Sequence, residues 1–203
     1  MWQLFCNKLE ESLKIDYPYA IRPITTGKPA GVLALFASSS LQQSPHLLVT
    51  KRTEIVETHK GQYAFPGGMM DPEDEHEGGL LFTALRETEE EVGILKNTVK
   101  PMGVLPQLWT PSGFLITPVV GISHHAVEDI QLKLNKAEIA DAFWVSLNRL
   151  IEPGVYRQET RQVGNVKFPT DVFDIDGHRV WGATGAMIKN LIGRLEQVGY
   201  SFK

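Results

Sequence analysis

Cysteine is nearly absent from this chain: Cys6 is the only one in 203 residues. One thiol cannot form an intrachain disulfide, so nothing ties the fold to an oxidising compartment. Long apolar runs are missing too. No stretch reaches the roughly 18 consecutive apolar residues that a membrane helix needs, and the opening MWQLFCNKLEESLKI has no basic segment leading into an apolar one, as a secretory leader would. These two absences predict a cytoplasmic protein with no membrane association. Positive charge is not in excess either. Twenty Lys and Arg stand against 24 Asp and Glu, a formal net charge of −4, which argues against nucleic acid as a partner. Internal repeats and low-complexity tracts are lacking as well.

What is present is an ordinary globular composition, 42% hydrophobic and 22% charged, in a chain long enough to bury its own core. Trp2, Phe5, Leu9 and Leu13 recur at helical spacing, so a short amphipathic helix opens the chain. Gly31–Ala37 and His46–Arg52 are two apolar runs joined by the polar Ser38–Pro45, the pattern of a β-hairpin with a long tip. Residues Gly61–Gly79, rich in glycine, proline and acid, are expected to be loop. Leu80–Ile94 has helical periodicity, and Gly93 is placed to end that helix. Strands are expected within 99–109, 113–122 and 142–147, with a helical turn at Leu147–Ile151. A second hairpin is expected over 165–182, turning at Asp176-Gly177. Ala183–Tyr200 closes the chain as an apolar helix. This order predicts one α+β domain, 1–203, with helices packed on a sheet; residues 1–28 form a helix and lead-in, and 183–203 the closing helix. Trp144 and Trp181 are expected in the core, and His124-His125 in a loop. Trp109 and Phe114 are candidates for stacking on a base.

The chemistry concentrates in Arg86-Glu87-Thr88-Glu89-Glu90-Glu91-Val92-Gly93-Ile94. Residues three and four apart share a helix face, so Glu87 lies beside both Glu90 and Glu91, while Leu81, Ala84, Leu85, Thr88 and Val92 form a stripe for the sheet. Three carboxylates on one face repel one another, and a hard divalent cation with oxygen ligands, Mg²⁺ or Mn²⁺, would relieve that repulsion. A solvated acidic face is the plain alternative for the helix alone. Upstream, Phe65-Pro66-Gly67-Gly68 puts two glycines where backbone can approach a phosphate or offer a carbonyl to a metal.

Together these segments resemble the signature of the Nudix hydrolases, G-x5-E-x7-R-E-U-x-E-E-x-G-U with U apolar. Gly68 matches the opening glycine, Arg86-Glu87 the R-E pair, Glu90-Glu91 the E-E pair and Gly93-Ile94 the close. Thr88 stands at one U position. Seventeen residues separate Gly68 from Arg86 where the signature has 13, and Asp74 or a neighbour (Glu73, Glu75, Glu77) would stand in for the loop glutamate. The resemblance implies an α/β/α sandwich around a central mixed sheet and a diphosphatase that uses Mg²⁺ or Mn²⁺. It implies metal ligation by Glu87, Glu90 and Glu91, with the Gly67 or Gly68 carbonyl as a further ligand, Gly68 being preferred, and Arg86 orienting a carboxylate. Glu138, just before a strand, is a candidate general base.

Leu48–Gly68 further resembles the coenzyme A diphosphatase type, L-L-T-x-R-[SA]-x3-R-x3-G-x3-F-P-G-G, keeping Thr50, Arg52, Gly61 and the Phe65-Pro66-Gly67-Gly68 turn. Ser112-Gly113-Phe114 and Val180–Thr184 fit the same pattern. This implies a small-molecule nucleotide diphosphate as partner, most specifically coenzyme A or an acyl derivative, with Arg52, His59, Gly67, Gly68, Ser112 and Phe114 facing it. Glu57 departs from the pattern, reversing the charge of its second arginine, which leaves ADP-ribose, a nucleotide sugar or a (d)NTP as alternatives. A non-catalytic nucleotide sensor on the same fold should have lost helix carboxylates, and this chain keeps all three. The family's habit and the apolar terminal helices make a homodimer a candidate assembly.

Overall fold

A computed structural model describes residues 1–14, 27–41, 44–55, 60–164 and 166–202. The opening helix is α1 (Trp2–Lys14), which buries Phe5, Leu9 and Leu13 as its spacing predicts. Two long strands follow, β1 (Lys28–Ser38) and β2 (Pro45–Arg52), antiparallel where Phe36 faces Leu47. Next come β3 (Tyr63–Ala64), β4 (Gly67–Met69), the short helix α2 (Asp74–Glu77) and α3 (Leu80–Val92). Then β5 (Val99–Val104), β6 (Leu108–Trp109), β7 (Phe114–Ser123) and β8 (Ile139–Ser146) complete the main sheet. The remainder is α4 (Leu147–Leu150), β9 (Tyr156–Val163), β10 (Val166–Ile175), β11 (His178–Trp181) and α5 (Ala183–Gln197).

The eight-stranded sheet has the order β3-β2-β1-β7-β5, with β4 on β1, β6 on β7 and β8 on β2. It is mixed, because β1 and β7 run parallel from Lys28↔Phe114 to Phe36↔Ile122 while its other pairs are antiparallel. Alternation along β1 decides the layers. Leu33 and Leu35 face α3, packing with Ala84, Val92 and Val119. Ala34 and Phe36 face the other way, into the larger core with Phe5 and Leu9 of α1 and Ile188, Leu191 and Leu195 of α5. Phe5 and Phe36 meet edge to face at 4.9 Å. Helices therefore cover both faces of a mixed sheet, the expected sandwich.

Gly31 sets how closely α3 lies on that sheet. A Cβ there would fall 2.4 Å from the Leu80 carbonyl oxygen, so only glycine lets the helix start against β1. The helix ends where expected: Gly93 takes φ 75° and its N–H donates to the Glu89 carbonyl, the left-handed turn that favours glycine.

Three expectations need correction. The stretch 61–79 is not all loop, because β3 and β4 are captured by β2 and β1 and α2 forms at its end. The predicted strand over 99–109 breaks into β5 and β6. The second hairpin forms as expected, with Ile175 and His178 flanking its Asp176-Gly177 turn, and a third strand, β9, joins it; β9 reads YRQETRQV and has too few apolar residues to announce itself. Trp144 and Trp181 are only half-buried, with the Arg161 guanidinium lying 3.8 Å from the Trp181 ring centroid. No helix among the described residues is long and apolar enough to cross a membrane.

Candidate functional site

The α3 carboxylates meet the glycine turn between β3 and β4. Pairing of β4 with β1 sets Gly68 opposite Gly31 and Gly67 opposite Val32, directly beneath the helix. A Cβ on Gly68 would sit 2.5 Å from the Glu87 carboxyl carbon and 2.6 Å from both of its oxygens. The volume that a side chain would take at 68 is thus filled by Glu87. At Gly67 the obstruction is backbone: a Cβ would fall 2.4 Å from the Gly31 carbonyl oxygen and 2.5 Å from Val32 Cα. One glycine makes room for strand packing and the other for a carboxylate.

Each acidic side chain has its own holder. Glu91 is 2% exposed; its Oε2 accepts from the Gly67 N–H at 3.1 Å and its Oε1 from Arg52 Nη1 at 3.3 Å. Burial pushes its acid up to about 8, against the pull of the Gly67 N–H and Arg52, and the negative charges of Glu87 and Glu138 add to the rise. Glu87, shielded on all but a small part of its surface, accepts from Arg86 Nη1 at 2.9 Å. Its acid is also raised, first by burial and then by Glu90 and Glu138. Glu90 is exposed and accepts from Arg86 Nη1 at 3.1 Å. Glu138 is half-buried before β8, where Asn135 Nδ2 donates to its Oε1 at 3.2 Å. Its negative charge bears on both Glu87 and Glu91. Among the described residues, no three carboxylate, histidine or cysteine groups already converge on one point. Arg86, Arg52 and the Gly67 N–H hold the carboxylates apart.

Arg86 is the hub. Its Nε and Nη2 reach Asp74 Oδ1 and Oδ2, both at 3.0 Å, in a two-pronged pair. Asp74, 1% exposed, also accepts from the Asp71 N–H at 3.0 Å and Thr83 Oγ1 at 2.8 Å. With Arg86 as the main cause, the Asp74 acid is lowered to about 2, and the arginine is held charged in turn. Of the four loop acids, Asp74 is therefore the one that reaches Arg86. A signal for it was available: five residues separate Gly68 from Asp74, as in the signature. The four additional residues then fall between Asp74 and Arg86, where the α2 turn takes them up and Gly79 N–H closes on the Asp74 carbonyl at 2.7 Å. Thr83 and Asp71 were not singled out from sequence, since nothing in the local pattern marks a buried threonine as an acid's donor.

The other predicted residues divide. Arg52 and Glu138 join the cluster. Phe114 does not: it pairs with Lys28 on β1, three residues along the strand from Gly31, with Lys28 Nζ 5.9 Å from its ring. Ser112 is exposed in the adjoining turn, its hydroxyl 2.9 Å from Thr110 Oγ1. Trp109 is 56% exposed and lies across Gly27, where a Cβ would meet the indole at 2.4 Å. His59 and Glu57 lie outside the described residues.

Comparison with known proteins agrees with this architecture. The family described as NUDIX domain matches residues 27–164. The chain is 34% identical to the "Uncharacterized Nudix hydrolase NudL" of Pectobacterium atrosepticum over 190 residues, covering 91% of this chain and 92% of that one. The protein of the same description from Yersinia enterocolitica is 36% identical over 147 residues, 72% of each chain. Among solved structures, a MutT/nudix family protein from Enterococcus faecalis aligns over 96% of this chain and 74% of its own with a TM-score of 0.52 and 14% identity, a likeness of fold.

Proposed function

This chain belongs to the Nudix hydrolases, enzymes that act on pyrophosphate bonds of nucleotide derivatives, and from that premise we propose that it splits coenzyme A or acyl-coenzyme A into 3′,5′-ADP and (acyl-)4′-phosphopantetheine. The observation that carries the site assignment is the seat of Glu87 in the space that Gly68 leaves open. It ties the acidic helix to the glycine turn and leaves little room for a merely solvated acidic face. The coenzyme A assignment rests on the Leu48–Gly68 pattern, whose Arg52 stands within the carboxylate cluster. The same reading takes residues 1–203 as one domain, supported by the core that joins α1 and α5 to the main sheet.

The donor set suits a hard divalent cation, Mg²⁺ or Mn²⁺: carboxylate oxygens from Glu87, Glu90 and Glu91, with a carbonyl of the Gly67-Gly68 turn as the further donor that the family resemblance implies. Two of these acids, Glu87 and Glu91, are already disfavoured as anions by burial and by neighbouring carboxylates. A bound cation supplies charge neutralisation at the diphosphate and acidifies water. The protein's own part is positioning. Arg86, braced by Asp74, fixes the rotamers of Glu87 and Glu90. The Gly67 N–H fixes Glu91. Arg52 brings a guanidinium fork suited to a phosphate oxygen. Asn135 engages Glu138 Oε1, which leaves Oε2 to accept a proton from the attacking water.

Glu57 favours a second substrate reading, because a carboxylate facing the 3′-phosphate of coenzyme A would repel it. The deciding experiment incubates the enzyme with Mg²⁺ or Mn²⁺ and a panel of coenzyme A, dephospho-coenzyme A, ADP-ribose, nucleotide sugars and (d)NTPs, and separates the products chromatographically. Release of 3′,5′-ADP from coenzyme A as the fastest reaction is expected. Turnover of ADP-ribose or a nucleotide sugar with coenzyme A untouched would end the coenzyme A assignment and leave the family assignment standing.

A further inference from the structure

Strand edges are templates for pairing with another chain, and proteins usually protect them. Of the four border strands longer than three residues among the described ones, three carry such protection. On β5, Pro101 interrupts the donors and the register shifts between Pro101 and Gly103. Along β8 the register shifts opposite Lys51 and Arg52. β11 is four residues long, and its His178 Nδ1 lies 2.8 Å from the Tyr63 hydroxyl of β3. The fourth border, β9, is different. It runs eight residues with no proline, and its register with β10 is unbroken from Tyr156↔Phe173 to Val163↔Val166. No other described strand pairs with it.

The direction of its free backbone groups follows from two observations. Asp174 N–H donates toward β9, to the Val155 carbonyl at 2.9 Å. Thr160 stands opposite Pro169, which has no N–H to give. In an antiparallel ladder, alternate residues point their N–H and C=O groups toward and away from the partner. Arg157, Glu159 and Arg161 therefore bond to β10. Gln158, Thr160 and Gln162, all exposed, turn theirs outward.

We propose that β9 is a dimerisation edge, pairing antiparallel with β9 of a second copy of this chain about a two-fold axis at Thr160. The charges select that register. Thr160 opposite Thr160 pairs Gln158 with Gln162 through outward hydrogen bonds, and sets Glu159 of each copy against Arg161 of the other. These last are non-hydrogen-bonded positions, where facing side chains approach most closely. Moving one step, to Glu159 opposite Glu159, would oppose like charges there and again at Arg157 and Arg161. Moving to Gln158 opposite Gln158 would drive Arg161 against Val155, which is buried in the core. Glu159 already accepts from Arg157 and Arg179 within its own chain, and Arg161 stacks on Trp181. The charges thus choose the register mainly by excluding like pairs. The product is one continuous six-stranded sheet across the two copies.

Two measurements test this. Sedimentation velocity over a wide concentration range should show a dimer for the intact chain and a monomer for Thr160→Pro. That substitution removes an outward N–H and leaves the β9–β10 ladder bonded. Amide exchange on the unmodified protein supplies the second readout, independent of whether the variant folds. At dimer concentrations, the Gln158, Thr160 and Gln162 amides should exchange at least about tenfold more slowly than in dilute solution. A monomer at every concentration would overturn the proposal. So would a dimer in which those three amides exchange freely, since its interface would lie elsewhere.

Discussion

Gly67 and Gly68 are neighbours in one turn, yet the structure assigns alanine at each a different consequence. At Gly68 the new methyl would lie 2.5–2.6 Å from the Glu87 carboxylate, about an ångström inside normal contact. What must yield is the end of a flexible side chain, and the backbone of Gly68 is in a region open to alanine. The protein should fold, with a stability loss of about 1 kcal/mol from crowding. The displaced carboxylate, however, leaves its 2.9 Å contact with Arg86, and misplacement by about an ångström at a reacting centre costs on the order of a hundredfold in kcat/KM. At Gly67 the methyl would meet the Gly31 carbonyl and Val32 Cα, backbone of β1 that cannot move without parting the sheet, and φ is 152°. Gly67→Ala should therefore lose about 3 kcal/mol or more of stability. Denaturant melts and kcat/KM, measured on both variants with the best diphosphate substrate, give the comparison. Wild-type kcat/KM in Gly68→Ala, or equal destabilisation by the two changes, would refute the assignment of one glycine to catalysis and the other to the fold.

Three other outcomes are expected. Glu90→Gln and Glu91→Gln should each lower turnover by about a hundredfold or more, worth about 3 kcal/mol, while keeping a wild-type circular dichroism spectrum; near-normal rates in both would remove these residues from the machinery. In EDTA the melting temperature should fall as pH rises from about 5 to about 8. Glu91 has a folded pKa raised to about 8 from 4.5, so the stability of its neutral form is complete below the unfolded value and is lost as pH climbs through the folded one. Glu91→Gln should flatten that slope, Mg²⁺ or Mn²⁺ should raise the melting temperature of the wild type by linkage, and an unchanged slope in the variant would assign the titration elsewhere. Asp74→Asn should destabilise by about 3 kcal/mol, because it leaves the Arg86 charge without its two-pronged partner; a shift within error in thermal melts would show that Asp71, Glu87 and Glu90 suffice to hold the arginine.

Much of this protein follows from sequence alone, and the reason is locality. Helix α3, its termination at Gly93 and the shared face of Glu87, Glu90 and Glu91 depend on spacings of three and four residues, which a helix imposes wherever it forms. The long strands announced themselves through continuous apolar runs, since both faces of the main sheet are covered. Tertiary structure decided whatever depends on residues far apart in the chain. Asp74 became the partner of Arg86 only once α2 had wound the longer loop into a turn. Gly68 became a seat for Glu87 only once β4 had paired with β1 under the helix. Burial of Glu91 could not be read from an acidic run, where it looks no different from the exposed Glu90. The short β3 and β4 and the polar β9 exist because neighbouring strands offer them hydrogen bonds, and no pattern within their own residues requires it.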